Sequence, residues 1–340
     1  MPATPRPRTK AAPDVLRTAG LDLICLGTKG GPPPSPDATG ISSALVVDGA
    51  VYLVDVGRSA VTQYVRSGLK FRDLRGVFIT HLHADHVADY FNLFLLAGNG
   101  NPAHRDSMPD VTSVWGPGPA GGLPDAFGGR TPAVEHPEDP TPGIRGLTDH
   151  ASAAFAYSTN LFIRDSHVRP TRGLAEVHEI DVSATGATYR DTHPDIEPFL
   201  VMEDEHVRVT ATLVPHGPVF PAFAYRFDTR HGSVTFSGDT TYSDNLIRLA
   251  RDTDVLVHEA INVDGFQGPP ALVDHLLEGH VEIQKVGGIA QRAGAKRLVV
   301  SHIGDLVRGV ADLDEWADWA QIGYDGPVHV AAELDLIRIG

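Results

Sequence analysis

A cluster of metal-ligating side chains behind one short apolar run constrains this chain more than any other feature. Residues 79–90 read ITHLHADHVADY, and six of these positions contain His81, His83, Asp85 and His86. Imidazole nitrogens and carboxylate oxygens are the usual protein ligands of zinc and similar metals. A turn at the carboxyl end of a strand would let the four side chains converge, so the run predicts a metal site.

Three further candidate ligands each follow an apolar run elsewhere in the chain. They are His216 in TLVPHGP, Asp239 in VTFSGDT and His302 in LVVSHIG. Ligands in open α/β folds gather beyond the carboxyl ends of the strands. We therefore expect four strand ends to meet. His216, Asp239 and His302 would add the ligands that the first cluster lacks for two metal sites.

Composition limits the classes of protein to which the chain can belong. Its 340 residues contain no run of about 18 apolar residues, so no transmembrane helix is expected. The formal net charge of −15, from 28 basic and 43 acidic residues, repels polyanions unless a local basic patch overrides it. The single cysteine, Cys25, excludes an intramolecular disulfide and reads as a buried thiol. A cytoplasmic protein is expected.

The order of patterns indicates strands, an insert, more strands and then alternating helix and strand. Residues 1–20 are proline-rich and basic without an apolar segment, which predicts a flexible N-terminal tail and not a signal peptide. Residues 21–340 are predicted to form one domain with a Gly/Pro-rich insert at about 99–200. An Asp48-Gly49 pair predicts a hairpin. Helical spacing is found at 61–69, 87–98, 149–166 and 281–294.

The metal motifs resemble those of the metallo-β-lactamase fold superfamily over nearly the whole chain. THLHADH, the lone His216, SGDT with Asp239 and SHI with His302 come in the order usual there. LGTKGGPPP, LVDVG, HEA at 258–260 and GH at 279–280 are similar to the branch that contains ribonuclease Z, phosphodiesterases and arylsulfatases. The resemblance implies an α/β fold, a four-layer αββα sandwich.

The same resemblance implies a dinuclear metal centre that works as a hydrolase. Two Zn²⁺ ions are expected, with Mn²⁺ or another divalent metal as alternatives, and a hydroxide bridging the two metals would attack an ester. The implied ligands are His81, His83 and His216 for one metal, Asp85, His86 and His302 for the other, and Asp239 as the bridge. Asp85 also counts among the implied catalytic residues.

His280 is the implied proton donor to the leaving group, positioned by Glu259. An imidazole with a pKa near 6.5 suits general acid catalysis. The related branch often has a small hydroxyl residue after this histidine and after HEA, whereas this chain has Val281 and Ile261. A histidine at a helix start, without a catalytic role, is the alternative.

Three more residues are assigned to the surroundings of the metals. Asp55, at the end of VYLVDVG, is expected to orient the ligand loop, or alternatively to cap a turn at a strand end. His258 is expected to pack beside the site without binding metal. Phe220, four residues after His216 in a proline-flanked loop, is predicted to form part of the substrate pocket wall.

The charge of the insert argues against RNA binding by this segment. The Gly/Pro-rich loop is expected instead to cover the active site or to contact another subunit, so a homodimer is possible. No membrane partner is expected. A small ester is therefore the predicted substrate, whether phosphodiester, aryl sulfate or lactone, and nucleic acid is disfavoured. Arg105, Arg130 and Arg145 are outnumbered by Asp106, Asp110, Asp125, Glu135, Glu138, Asp139 and Asp149.

Two alternatives to the small-ester hydrolase stay open. LGTKGG, HEA and GH favour a ribonuclease Z-type endonuclease that processes the 3′ side of tRNA. A non-catalytic binding module stabilised by metal is the other alternative, although no ligand is missing from the sequence.

Overall fold

The fold consists of two sheets of seven strands each, seen in a computed structural model that describes residues 8–12, 18–99, 106–108, 111–126 and 131–339. In chain order the strands are β1 (Leu21–Gly27), β2 (Ser42–Val47), β3 (Ala50–Val54), β4 (Leu74–Phe78), β5 (Thr112–Pro117), β6 (Ala175–Ile180), β7 (Phe199–Glu203), β8 (Arg208–Leu213), β9 (Phe223–Thr229), β10 (Gly232–Phe236), β11 (Val255–Asn262), β12 (Leu298–Asp305), β13 (Val328–Val330) and β14 (Asp335–Arg338).

Each half of the chain builds one sheet, except that the last strand returns to the first sheet. The strand order is β14-β1-β2-β3-β4-β5-β6 in the first sheet and β13-β12-β11-β10-β9-β8-β7 in the second. The helices are α1 (Ala60–Arg66), α2 (Ala84–Val87), α3 (Tyr90–Asn92), α4 (Ile144–Ala154), α5 (Ala156–Ser166), α6 (Asp244–Leu249), α7 (Pro270–Gly279), α8 (Ile283–Ala293) and α9 (Leu313–Ala320). Short 3₁₀ helices occupy Phe71–Asp73, Thr171–Leu174 and Ser183–Thr185, and a π-helical turn occupies Leu93–Ala97.

Three apolar clusters show that the layers are helix, sheet, sheet and helix, as expected. One cluster lies between the sheets and includes Phe78, Tyr225 and Phe227. A second joins the first sheet to α1, α3 and α4, and a third joins the second sheet to α6, α8 and α9. The predicted α/β sandwich is confirmed.

Strand β1 is buried on both faces, which explains its unbroken apolar run LDLICLG. Leu23 and Cys25 face the second sheet, whereas Ile24 and Leu26 face the helices of the first layer. Burial, together with the charge of Asp335, raises the pKa of the Cys25 thiol to about 12. The predicted buried thiol is thus confirmed.

The predicted hairpin at Asp48-Gly49 is confirmed, because these two residues join β2 to β3. Both have positive φ, 52° and 89°, as a tight two-residue turn requires.

The predicted helix at 87–98 is wrong as one continuous element. It is divided into the end of α2, α3 and the π-helical turn. Asp89 causes the break, because its N–H donates to the Val56 carbonyl and its carboxylate accepts from the Val61 N–H at 2.8 Å. The helix predicted at 149–166 is likewise two helices, α4 and α5, which meet at Phe155.

Part of the predicted tail and part of the predicted insert pack on the first sheet. Lys10 pairs with Asp335 of β14, and Arg8 Nη1 donates to the Asp335 carboxylate at 2.5 Å. The insert supplies β5 and β6 to the sheet. The proposed division into tail, domain and insert stays a prediction. Within the ranges given above, no helix combines the length and apolarity needed to cross a bilayer.

Truncation of Phe78 to alanine is expected to lower the free energy of unfolding by about 3–5 kcal/mol. Its fully buried ring stacks on Trp115 at 4.9 Å between centroids and meets Phe227 edge-on at 4.9 Å. Urea unfolding of metal-depleted protein measures the change. Val65→Ala, at a side chain that is 58% exposed, is the control and should stay within about 0.5 kcal/mol of the parent. Equal effects of the two substitutions would contradict the packing described here.

Candidate metal centre

The structure brings all seven predicted ligands together at one edge of the sandwich. The loop after β4 presents His81 and His83, and α2 contains Asp85 and His86. Ligand atoms of His81, His83, His216 and Asp239 lie within 4.8 Å of one another, and so do those of Asp85, His86 and His302. Two adjacent groups could therefore each hold a metal ion.

Asp239 lies between the two groups. Its Oδ2 atom is 3.1 Å from His302 Nε2 and 3.3 Å from His86 Nε2 on one side. On the other side it is 3.8 Å from both His81 Nε2 and His216 Nε2. One carboxylate oxygen thus faces imidazoles of both groups, which suits a bridging ligand.

His302 differs from the prediction, because it lies inside β12 and not beyond its end. The pairing of β11 with β12 skips at this point, from His258–Val300 to Ala260–Ile303, so that two residues oppose Glu259. This bulge and the positive φ of His302, 51°, turn the side chain towards the centre while the strand continues. Bulges of this kind often redirect a side chain next to an active site.

Buried polar atoms at the centre fit bound cations. His81 Nε2, Asp85 Oδ1 and Asp239 Oδ1 have no hydrogen-bond partner among the described residues. Burying an unpaired polar atom costs free energy, so these atoms are expected to contact a bound ligand. Nitrogen and oxygen donors in this combination suit zinc and similar metals.

The ionisation of the histidines also suits metal binding. Burial lowers the pKa of His81 well below its ordinary value and lowers that of His216 to about 3, so both imidazoles are neutral at neutral pH. Burial opposes charge on His86 as well, but Asp239 and Asp55 outweigh it and raise the pKa well above its ordinary value. The carboxylates of Asp239 and Asp55 thus surround His86 with negative charge, which favours a cation once the imidazole has lost its proton.

The contacts of Asp55 fit the first of its two predicted roles, orientation of the ligand loop. Its Oδ2 atom lies 2.9 Å from His86 Nδ1, which leaves His86 Nε2 for the centre. Thr80 holds the same carboxylate twice, through its N–H and its hydroxyl, both at 2.8 Å. Thr80 was not identified from the sequence, although its place directly before His81 was a usable signal.

The loop LGTKGG borders the second ligand group through its backbone. The N–H of Gly31 donates to Asp85 Oδ2 at 2.9 Å. A Cβ atom on Gly30 would lie 2.7 Å from His302 Nδ1, so only glycine allows this approach. The sequence showed the motif but not which ligands it supports.

His280 and Glu259 lie beside the centre as a hydrogen-bonded pair. Glu259 Oε2 is 3.3 Å from His280 Nδ1, and Glu259 Oε1 accepts from the Val281 N–H at 2.9 Å. Burial lowers the pKa of His280, but the charge of Glu259 and this hydrogen bond outweigh it and raise the pKa to about 9. Glu259 thus favours the protonated form of His280, the form that can donate a proton.

The remaining predicted residues lie around this arrangement. His258 is fully buried, and its Nδ1 atom donates to the Glu259 carbonyl at 2.7 Å. Phe220 is half-buried and packs against the cluster between the sheets. Its contact with a substrate stays a prediction.

Parts of the insert line a cavity of about 540 Å³ beside His216. Tyr189 and His193 line it together with Gly217 and Pro218. Of the three insert arginines named above, Arg145 donates to the Val177 carbonyl at 2.6 Å. Arg105, Arg130 and Asp110 lie outside the described residues.

Replacement of Asp55 by asparagine is expected to weaken zinc binding by about 10- to 100-fold, since outer partners of ligating histidines commonly have effects of this size. Competition with a chromogenic zinc chelator measures the affinity. Asp165→Asn, at an exposed site on α5, is the matched control. If Asp55→Asn bound zinc as tightly as the parent protein, Asp55 would not orient the ligand loop, and only its turn-capping role would be left.

Comparison with known families identifies one match over most of the chain. Residues 36–276 match the family described as Metallo-beta-lactamase superfamily. Among curated proteins, Ribonuclease Z of Mycobacterium bovis (strain BCG / Pasteur 1173P2) is 27% identical over 320 residues, covering 94% of this chain and 98% of the relative. Ribonuclease Z of Mycobacterium marinum is 25% identical over 321 residues, with coverages of 94% and 99%.

Solved structures share the fold. The short form of human tRNase Z superposes with a TM-score of 0.61 at 22% identity, covering 94% of this chain and 99% of that one. The metallo-beta-lactamase fold protein YhfI of Bacillus subtilis gives a TM-score of 0.60 at 16% identity, with coverages of 93% and 98%. A diphosphatase of the PhnP family gives 0.55 at 18% identity, with coverages of 94% and 98%.

Proposed function

Because the chain belongs to the metallo-β-lactamase superfamily, we propose that it is a metal-dependent phosphodiesterase of the ribonuclease Z type that cleaves RNA. It is a hydrolase acting on ester bonds. The Glu259–His280 pair beside the ligand cluster supports the finer assignment, since an alcohol that leaves from phosphorus needs a proton. Full-length relatives named Ribonuclease Z favour RNA over the small ester predicted first.

We assign the seven ligands as the sequence resemblance implied. His81, His83 and His216 would hold one divalent metal, Asp85, His86 and His302 the other, and Asp239 both. Zinc is the proposed metal, and two ions per chain the proposed number. Bound metals of this kind act as Lewis acids and lower the pKa of water towards roughly 7.

The chain's own residues supply orientation and a proton. Asp55 fixes the ring of His86 through Nδ1, and the Gly279 carbonyl, 2.8 Å from His216 Nδ1, does the same for His216. Glu259 holds Nδ1 of His280, so Nε2 is the atom that would donate a proton to the departing oxygen. Such positioned donors commonly accelerate a reaction by about 10²- to 10⁴-fold.

A small diester is the second candidate substrate, and the charge distribution favours it. The exposed segment at 131–140 contains Glu135, Glu138 and Asp139, and the net charge is −15. Both repel an RNA backbone. The homodimer also stays a prediction.

Cleavage assays of the zinc- or manganese-loaded protein test the proposal. A precursor tRNA with a 3′ trailer, at low salt, is compared with bis(p-nitrophenyl) phosphate and p-nitrophenyl sulfate. Cleavage at the 3′ side of the tRNA, lost in His86→Ala, is the expected result. Turnover of the chromogenic diester without tRNA cleavage would transfer the assignment to small diesters, and turnover of the sulfate alone would contradict both.

A further inference from the structure

A cavity of about 330 Å³ opens directly beside the proposed proton donor. His280 forms part of its wall. The remaining wall comes mainly from α8 and from the loop after Asp239, and includes Tyr242, Leu277, Val281, Lys285, Ile289 and Arg292. A volume of this size is within the range of small-molecule sites.

The position of His280 decides which part of a substrate this cavity can accept. A general acid must lie within hydrogen-bond reach of the oxygen that departs. The group attached to that oxygen therefore extends to the side of His280 where space is open. His280 borders this cavity, so the cavity is within reach of a leaving group that takes its proton from His280.

One of two neighbouring glycines in α8 borders this space. A Cβ atom on Gly287 would lie 2.4 Å from the carbonyl oxygens of Ala320 and Ile322, so packing requires glycine there. A Cβ atom on Gly288 would meet nothing within 4 Å, and the residue has helical backbone. Glycine destabilises a helix interior, and packing gives no reason for it at Gly288, which borders the cavity.

The wall combines an apolar, partly aromatic surface with two cations at the rim. Leu277, Val281 and Ile289 are aliphatic, and the Arg292 guanidinium lies 5.4 Å from the centre of the Tyr242 ring. Arg292 is also 3.6 Å from Asp244, and Lys285 pairs with Glu282. Both cations are exposed and ion pairs near the surface are weak, so a phosphate can compete for Lys285 and Arg292.

We propose that this space, the leaving-group cavity, holds a departing nucleotide, with its base against the apolar wall and its own phosphate at Lys285 and Arg292. The inference rests on the proposed function. In the reaction, a water oxygen bonds to phosphorus and loses a proton to solvent while the bond from phosphorus to the ribose oxygen breaks. The ribose oxygen takes the proton of His280, so the nucleotide leaves as an alcohol, and His280 regains a proton from solvent.

Binding of product-like probes to the metal-loaded protein tests the cavity without turnover. Adenosine 5′-monophosphate or adenosine 3′-monophosphate should bind at least about tenfold more tightly than adenosine, and the tighter isomer shows which ribose oxygen departs. Gly288→Leu, which fills the cavity with a better helix former, should weaken binding by at least about tenfold. Inorganic phosphate should bind the parent and Gly288→Leu alike. Unchanged nucleotide binding in Gly288→Leu would overturn the proposal.

Dinucleotide hydrolysis separates this inference from the proposed function. If the cavity works as described, Lys285→Ala combined with Arg292→Ala should lower kcat/KM only for dinucleotides with a phosphate on the leaving nucleotide. Gly288→Leu should lower it for all of them. Gly288→Ala is one control, and Lys296→Ala is the other, because this exposed lysine pairs with Asp254 and does not line the cavity. Nucleotide binding without any diester cleavage would contradict the function alone. Cleavage that neither variant changes would contradict the leaving-group cavity alone.

Discussion

Asp239→Ala is expected to lower kcat/KM for the diester that the parent protein cleaves by at least about 10³-fold. The reason is its place between the two ligand groups, where one oxygen faces four imidazoles at 3.1–3.8 Å. Without this carboxylate, neither group would keep its proposed ligand set, and repulsion between two divalent ions bound side by side would no longer be offset.

Metal content is the second measurement on this variant. Elemental analysis after gel filtration should find fewer than two metal ions per chain in Asp239→Ala, and two in the parent protein and in the surface control Asp165→Ala. Two tightly held ions and undiminished hydrolysis in Asp239→Ala would show that the carboxylate is not the bridge.

His280→Ala is expected to lower kcat by about 10²- to 10⁴-fold when the leaving group is an alkoxide, as it is in RNA. The loss should be much smaller for bis(p-nitrophenyl) phosphate, because p-nitrophenolate departs without a proton. Glu259→Gln should reproduce this selective loss in weaker form, since the amide still contacts His280 but no longer favours its protonated state.

The dependence on the leaving group separates proton donation from other roles of His280. An imidazole nitrogen of His280 also lies within 4.8 Å of ligand atoms of Asp239 and His302. An equal loss on both substrates together with reduced metal content would therefore identify His280 as a metal ligand. His150→Ala, at an exposed histidine, controls for the loss of an imidazole elsewhere.

The convergence of the seven candidate ligands could be predicted from sequence because a local pattern marks each position. His81, His83, Asp85 and His86 share one turn, and the apolar runs before His216 and Asp239 end where the strands end. The sequence cannot show the bulge that places His302 inside β12, since the skipped pairing depends on the neighbouring strand β11. It also cannot show that Thr80 holds Asp55, a contact across 25 positions.

The predicted helix boundaries were wrong where tertiary hydrogen bonds compete with helical ones. The pattern at 87–98 has helical spacing, but Asp89 bonds to Val56 and Val61 on neighbouring segments. Spacing reports which face of a helix is apolar and says nothing about such competition. The prediction of a flexible tail at residues 1–20 had the same limit. The pairing of Lys10 with Asp335 connects positions far apart in the sequence, and spacing cannot reveal such a contact.

The buried thiol of β1 allows selective labelling of a cysteine introduced elsewhere in the chain. Cys25 is the single cysteine of the sequence, and it is fully enclosed with a pKa raised to about 12, so maleimide reagents at neutral pH will not modify it. One cysteine introduced at Gly288 would therefore accept a fluorophore selectively, with no background from the parent. Such a labelled protein would report in real time when the space beside His280 fills and empties, and so tell whether chemistry or product release limits turnover.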